Sequence, residues 1–253
     1  MSLSFVPDAV AAPRGRRVLR HARLEASLLL RNGEQLLLAL VIPIALLVAG
    51  LAFGGRLGLD PATFPASVLA LAVWSTSFTS LAINTGFERR YGVFERLAAT
   101  PLSRGDLVAG KALATASIAG AQLVVIAVVA VALGWRPTPG PLGSLLALVG
   151  AALGLVAFAG AALALAGRLR AEATLAVANL IYLAVAAGGA LVIPVSAYPA
   201  ALRPALAALP SGALGELLRA WASGGAPLWP VGVLAAWASV FWLVARKAFR
   251  WTS

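Results

Sequence analysis

The chain contains a series of six apolar runs, each long enough to cross a lipid bilayer as a helix. The runs lie at about 36–53, 66–86, 107–133, 144–166, 174–193 and 228–245. A helix rises about 1.5 Å per residue, so about 18 apolar residues reach across a hydrocarbon core of roughly 30 Å. Because 61% of the 253 residues are hydrophobic and only 11% are charged, the chain does not suit a water-soluble fold. We predict an all-α integral membrane protein with six transmembrane helices.

Basic residues are distributed unevenly between the two sides that such a topology creates. Cytoplasmic loops of membrane proteins carry the excess of Lys and Arg. With both termini cytoplasmic, only four of the twenty basic residues are left outside, namely Arg56, Arg136, Arg203 and Arg219. We therefore predict a multi-pass protein with cytoplasmic N- and C-termini. It divides into a cytoplasmic segment over 1–35 and a single membrane domain over 36–253.

The segment before the first run has the pattern of an amphipathic helix. One stripe at helical spacing holds Arg16, Arg20, Arg23, Ser27 and Arg31. The opposite stripe holds Leu19, Ala22, Ala26 and Leu29. We predict a helix that lies on the cytoplasmic surface of the membrane. The paired arginines at 16–17 also allow a twin-arginine export signal, but charged residues follow where such a signal needs an apolar run.

Prolines interrupt the segment over 195–227, before the last apolar run. Pro194, Pro199, Pro204 and Pro210 disfavour a straight crossing helix, and a seventh crossing would place the basic C-terminal end outside. We predict two short re-entrant helices in the outer leaflet. An ordinary surface loop is the alternative.

Several chemistries lack the residues they require. The chain has no cysteine and a single histidine, His21, so neither a thiolate metal site nor a histidine relay can be built. The pattern G-x-x-x-x-G-K over 105–111 matches a phosphate-binding loop, but Ala112 follows where Ser or Thr is needed. All nine acidic residues lie in loops or at span ends, which disfavours a proton-coupled carrier. We predict no catalytic residue, metal, cofactor or nucleic-acid partner for this chain.

Hydroxyl and amide side chains collect in the second run and recur in the fifth. The set is Ser75, Thr76, Thr79, Asn84, Asn179 and Tyr182. Such residues can line a translocation path for a substrate with a polar part. They can equally let helices pack closely and hydrogen-bond one another. The pattern leaves both interpretations open.

Between the second and third runs lies a short charged segment, 87–103, with the sequence FERRYGVFERLAATPLS. The residues spaced as one face of a short helix are Phe87, Tyr91, Phe94 and Ala98. Pro101 ends that helix, and Ser103 with Asp106 three residues later is typical of the start of the next. We predict a short two-faced helix on the cytoplasmic side. The other interpretation is a connector that only anchors the span ends.

The charged segment resembles the signature E-x-x-x-G-x-x-E-R-L-x-x-T-P-L-S of type-2 ATP-binding-cassette (ABC) exporter permeases, close to the subgroup that exports drugs and antibiotics. The matching residues are Glu88, Gly92, Glu95, Arg96, Leu97, Thr100, Pro101, Leu102 and Ser103. The resemblance extends to the basic N-terminal helix, the six spans and the Pro-rich outer segment. Arg90 departs from it, because an acid is common at that position.

The resemblance implies that the segment is a coupling helix docked on a separate ATPase subunit, which binds ATP and Mg. The implied polar contacts are Glu88, Arg89, Glu95 and Arg96, and the implied buried anchors are Tyr91 and Phe94. The N-terminal helix with Arg16, Arg20, Arg23 and Arg31 is implied to lie at the same interface.

The resemblance also implies an assembly and a function. Two ATPase copies and two permease copies, as a homodimer or a heterodimer, would form the transporter in the bacterial plasma membrane. The expected function is ATP-driven export of a hydrophobic or amphiphilic substrate, such as a drug, an antibiotic, a lipid or a glycan precursor. A non-transport membrane scaffold or accessory subunit is the first alternative, and a secondary carrier is the second.

Overall fold

Helices make up most of the chain that the computed structural model describes, which is residues 11–31 and 33–248. The α-helices are α1 (Arg14–Arg31), α2 (Gly33–Phe53), α3 (Phe64–Trp74), α4 (Leu81–Arg90), α5 (Val93–Ala98), α6 (Arg104–Ala132), α7 (Pro141–Ala166), α8 (Ala171–Gly188), α9 (Arg203–Ala207), α10 (Pro210–Ala222) and α11 (Trp229–Ala248). A π-helical turn over Ser75–Ser80 joins α3 to α4 into one continuous helix. No strand occurs among the described residues.

Five helices are long and apolar enough to cross a membrane. They lie over Phe64–Arg90, Gly105–Ala132, Pro141–Ala166, Ala171–Gly188 and Trp229–Lys247, and each matches one of the predicted runs. The remaining predicted run, 36–53, falls in α2. The apolar stretch described there, Leu40–Arg56, continues just past the end of α2 and is shorter than the five spans. A multi-pass membrane protein is therefore confirmed, and the count of six spans stays a prediction.

The continuous helix α3–α4 lies at the centre of the bundle. Its apolar stretch is 78% buried, against 17–50% for the other four spans. Ala66, Val68, Ala70 and Val73 have no exposed surface. Below them the ring of Trp74 stacks on Phe78 at 4.3 Å and meets Phe158 of α7 edge-on at 4.8 Å. The second apolar run is therefore a core helix with neighbours on all sides, which explains why it carries small hydroxyl residues.

Helices α7 and α11 pack closely because a glycine lies where they meet. A Cβ atom on Gly160 would come within 2.9 Å of the backbone carbonyl carbon of Phe241. Gly150 and Gly154 on the same helix instead face α10, where they accommodate Leu217 and Leu214. Small residues thus set the close approach of these helices.

The outer segment before α11 forms the two short helices that its prolines predict. Helix α9 has five residues, and α10 has 13 and begins at Pro210. Leu214 and Leu217 of α10 are 0% and 1% exposed, so an ordinary surface loop is wrong for α10. One boundary also differs from the prediction. The fifth span ends at Gly188 rather than at residue 193, and Ala190 follows with a φ of 53°.

Candidate functional site

Charged side chains gather at one end of the bundle, which we call the basic end. It consists of α1, the end of α4, the turn before α5, α5, the start of α6, the α7–α8 turn and the end of α11. Consecutive crossings alternate in direction, so these elements meet on the same side. There α1 packs along the first half of α6. The predicted basic stripe of α1 faces outward, with Arg16, Arg20, Arg23 and Arg31 all exposed.

The face of α1 that packs on α6 differs in part from the predicted stripe. Ala22 is 4% exposed, as the pattern predicts, but Leu19 is 43% exposed. His21, 4% exposed, takes the packed position, and its ring lies against Gly110, where a Cβ atom would meet it at 2.5 Å. The packed face of α1 therefore includes the polar residues His21 and Glu25, and Leu19 of the predicted apolar stripe is not part of it.

Asp106 holds the start of α1 to the start of α6. Its carboxylate accepts from Arg14 Nε at 2.9 Å and from Arg17 Nη2 at 2.9 Å. The same carboxylate closes a capping box with Ser103, which confirms the predicted start of this helix. Asp106 is fully buried, so these bonds compensate the loss of its hydration.

Lys111 lies at the centre of a second and deeper ionic contact. Its Nζ is 2.9 Å from Glu25 Oε2 of α1 and 2.5 Å from Glu88 Oε2 of α4. His21 Nε2 lies 3.4 Å from Glu25 Oε1. We call Lys111, Glu25, Glu88 and His21 the Lys111 cluster. It joins three helices, and Lys111 is only 2% exposed. Lys111 therefore binds carboxylates inside the protein, which agrees with rejecting the phosphate-loop motif.

Burial lowers the pKa of His21 below its ordinary value, and the nearby Lys111 ammonium lowers it further, against the opposing effect of Glu25. The imidazole is therefore neutral at neutral pH. An undocked α1 binds a proton near the ordinary histidine pKa of about 6.5, while the docked α1 does not. Acid thus favours the undocked or unfolded state, and stability falls as the pH drops through that value.

We expect the unfolding temperature to be roughly 2–4 °C lower at about pH 5.5 than at about pH 7.5. The groups that face His21 are Glu25 on its own helix and Lys111 on α6, with Glu88 of α4 bound to Lys111. Replacing His21 by Gln removes the titrating group, so the unfolding temperature should depend less on pH over this range. An unchanged profile in His21→Gln would contradict the assignment to His21.

Arg89, which is predicted to contact a partner, and Arg90, which departs from the family signature, both bind elements of the same chain. Arg89 Nη1 donates to the carbonyl of Gly167 at 2.9 Å and to that of Ala166 at 3.3 Å, at the end of α7. Arg90 forms an ion pair with Glu172 in the first turn of α8. These bonds tie α4 to the α7–α8 turn. The pairing with Glu172 also gives a structural reason for the basic residue at position 90.

The predicted two-faced helix is broken, and this corrects the expected placement of its aromatic residues. Helix α4 ends at Arg90, and Gly92 has a φ of 65°, so α5 begins only at Val93. Phe94 is 1% exposed inside the chain, so its ring does not face a partner. Tyr91 is 63% exposed and stacks on Phe87 at 6.2 Å. A continuous aromatic face over 87–98 is therefore wrong.

Three of the predicted coupling residues do face outward. Tyr91, Glu95 and Arg96 are exposed, and Arg96 Nη2 donates to the Tyr91 carbonyl at 2.8 Å. We call these three the α5 surface. Glu88 lies behind it, bound to Lys111, and Phe94 lies 5.9 Å below the Lys111 ammonium. The α5 surface thus sits directly on the Lys111 cluster.

A comparison with protein families decides what kind of membrane protein this is. A family model described as an ABC-2 family transporter protein matches residues 55–247, which include the charged segment and all five described spans. The chain belongs to this family. The resemblance to type-2 ABC permeases is thereby confirmed. No curated protein shows significant similarity to the chain.

Membership in the ABC-2 family fixes the general role of the chain. It is a transmembrane component of an ABC transporter, and the family implies association with an ABC ATPase subunit. In this chain the exposed side chains of α5 lie at the basic end, next to the ionic contacts between α1, α4 and α6.

The hydroxyl and amide residues of this ABC-2 permease do not form one group within the subunit. The Thr76 hydroxyl donates to Gln122 Oε1 at 2.5 Å, which joins α3–α4 to α6. Ser75 is hydrogen-bonded to Tyr182 of α8. Asn179 lies exposed on the outer side of α8. Ser75, Thr76 and Tyr182 therefore form hydrogen bonds between helices, and Thr76 and Asn84 also line a cavity near the Lys111 cluster.

A second buried cation organises the opposite end of the permease. Arg219 of α10 is 6% exposed and donates to Ser67 Oγ at 3.0 Å, Leu191 O at 2.8 Å, Ala190 O at 3.1 Å and Glu216 Oε1 at 2.9 Å. The topology prediction counts Arg219 only as an outer charge. The i, i+3 spacing of Glu216 and Arg219 in an otherwise apolar segment is the signal that points to a buried pair.

Proposed function

We propose that this chain is the membrane subunit of an ATP-driven exporter, in which an ATPase subunit pushes on the α5 surface and on α1. Two ATPase copies bind ATP and Mg, and two permease copies enclose the pathway. The substrate is hydrophobic or amphiphilic, of the kind represented by drugs, antibiotics, lipids or glycan precursors, and moves outward from the cytoplasm or the inner leaflet of a bacterial plasma membrane.

The observation that supports this proposal most directly is the position of the α5 surface on the Lys111 cluster. Tyr91, Glu95 and Arg96 are exposed, while Phe94 and Lys111 beneath them are almost completely buried. An exposed aromatic ring beside charges of both signs suits a protein partner, since aromatic residues and arginine dominate binding energy at interfaces. The buried layer supplies a firm base for that contact.

Ionic contacts connect this base to the spans. Lys111 belongs to α6, Glu88 to α4 and Glu25 to α1, so displacement of α1 or α5 acts on two central helices together. Arg89 and Arg90 extend the connection to α7 and α8. Packed helices move as rigid bodies between discrete arrangements. A push at the basic end is therefore expected to shift spans relative to the second permease copy.

The distribution of charge supports a cytoplasmic basic end. The turns and helix ends there hold most of the Lys and Arg residues, including the exposed Arg168, Arg170, Arg246 and Lys247. The opposite end holds Arg56, Arg136, Arg203 and Arg219. By the positive-inside rule, this distribution favours a cytoplasmic position for the α5 surface, where ATP is available.

Exchanging the two charges of the α5 surface tests the proposed contact. We expect Glu95→Arg with Arg96→Glu to reduce recovery of the ATPase in co-purification by at least about tenfold, because like charges brought together at an interface cost several kcal/mol. ATP-driven export should fall with it. Both side chains are exposed and the net charge is unchanged, so the permease should still insert and elute as the native protein does.

The control reverses an exposed charge at the other end of the bundle. Arg56→Glu should leave ATPase recovery and export at the level of the unaltered chain. Full export by the exchanged variant would contradict the assignment of the α5 surface. Absence of any ATPase in purifications of the unaltered chain would favour a scaffold or accessory subunit instead.

A further inference from the structure

A cavity of about 260 Å³ lies inside the subunit next to the Lys111 cluster. It is bounded by α1, by α3–α4 and by α6, and its wall is mostly apolar, with Leu29, Leu81, Ala114 and Ile118 among its lining residues. Two side chains at its border, Leu28 and Tyr91, are 56% and 63% exposed, so the cavity opens to the surface. Ligand sites combine an apolar wall with a few placed polar groups in this way.

The acidic and basic side chains that line this cavity are unequal in number. Glu25, Glu88 and Lys111 all line it, which amounts to two carboxylates for one ammonium. His21 touches Glu25 from behind and carries no charge at neutral pH, because burial lowers its pKa. When both carboxyl groups are ionised, these three groups carry one net negative charge in a partly buried place. Such a charge is costly unless a proton or another cation balances it.

Polar neutral groups lie beside the charged wall. Thr76, Ser80, Asn84 and Thr115 also line the cavity. Their hydroxyl and amide oxygens accept hydrogen bonds or solvate a cation, and Lys111 is the one cationic side chain among the described residues of the lining. The excess of carboxyl groups favours a positively charged ligand, and the apolar wall favours a ligand with an apolar part.

We propose that this cavity is a binding site for an amphiphilic monocation, with the cationic group against Glu25 and Glu88 and the apolar part against α1 and α6. The site lies within one subunit, in the half of the bundle nearest the basic end. Its existence does not depend on the exporter function, because binding is a property of the chain alone. When the site is filled, the ligand adds a further contact between α1, α4 and α6.

The test measures binding to the purified full-length permease without an ATPase. The probe is 4-phenylbutyl-trimethylammonium, and 4-phenylbutyl-sulfonate is its counterpart of opposite charge, both followed by equilibrium dialysis. We expect saturable binding of the cation and much weaker binding of the anion. Affinity for the cation should rise with pH, because a proton competes for the same negative charge near Glu25, Glu88, Lys111, His21 and Tyr91.

Two variants act on the site by different means. Glu88→Gln removes the excess charge and should weaken cation binding by about tenfold or more, as is common for partly buried charge pairs. Ala114→Leu leaves every charge in place and fills the cavity, so it should also reduce cation binding. The matched control is Glu172→Gln, which removes an exposed carboxylate at the same end and should leave cation affinity unchanged. Elution volume checks that each variant is folded.

Each result decides the proposal. Loss of cation binding in Ala114→Leu supports the cavity as the site even if Glu88→Gln does not fold. Equal binding of cation and sulfonate, unsaturable binding, or unchanged affinity in Ala114→Leu would overturn it. Failure of the permease to recover an ATPase leaves this measurement unaffected, so the two proposals can fail separately.

Discussion

Replacing Lys111 by Met is expected to destabilise the permease by about 3–5 kcal/mol, because it leaves two buried carboxylates without their shared cation. Glu25 and Glu88 have side chains that are 12% and 21% exposed, so water compensates them only in part. The variant should show a clearly lower unfolding temperature. Trypsin should also cleave sooner at the exposed Arg20 and Arg23, since α1 loses its central attachment to α6.

A second set of variants separates lost charge pairing from lost packing. Combining Lys111→Met with Glu25→Gln and Glu88→Gln removes both unpaired charges, so most of the stability should return. Lys247→Met, at an exposed position near the end of α11, should change neither the unfolding temperature nor the cleavage rate. Native stability of Lys111→Met alone would show that the cluster does not hold α1 in place.

Replacing Arg219 by Met is expected to have a comparable effect at the other end, of about 3–5 kcal/mol. The substitution removes the donors to the carbonyls of Ala190 and Leu191, which have no exposed surface. Among the described residues, Glu216 then keeps one hydrogen-bond partner, the backbone amide of Val195 at 2.8 Å. We expect a lower unfolding temperature and faster hydrogen exchange over 190–198.

The matched control for Arg219 is Arg203, which lies in the same outer segment. Arg203 is exposed, although it also donates to two carbonyls, those of Tyr198 and Ser196. Arg203→Met should therefore change stability little, since water replaces the lost bonds. If both variants lose the same free energy of unfolding, burial does not explain the contribution of Arg219 to stability.

Much of the fold follows from the sequence because lipid imposes a simple rule on it. A chain in a bilayer must satisfy its backbone within each helix, so a long apolar run can only be a spanning helix or a buried one. The five described spans lie where the runs predict them. Ser103 and Asp106 predict the start of α6 correctly, because a capping box depends on residues three positions apart.

The roles of the charged residues do not follow from the sequence in the same way. The pattern over 87–103 predicts that charges face a partner, and the structure instead pairs Glu88 with Lys111, Arg89 with backbone carbonyls and Arg90 with Glu172. These partners are more than 20 residues away along the chain. Arg90 is exposed although it is paired, and Tyr91, Glu95 and Arg96 are exposed as well. The spacing of residues in a helix predicts which face of the helix each side chain lies on. It does not predict which distant residue that face will contact.

The membrane environment, the five described spans, the uneven distribution of basic residues and the resemblance to a family all follow from the sequence, because each depends on local composition or on a contiguous motif. The packed structure was needed to show which charges are buried and paired, where the helix after Arg90 breaks, and that a cavity with two carboxyl groups lies beside Lys111. Pairing and cavity shape depend on how α1, α4 and α6 pack together, and helix packing brings together residues that are far apart in the chain.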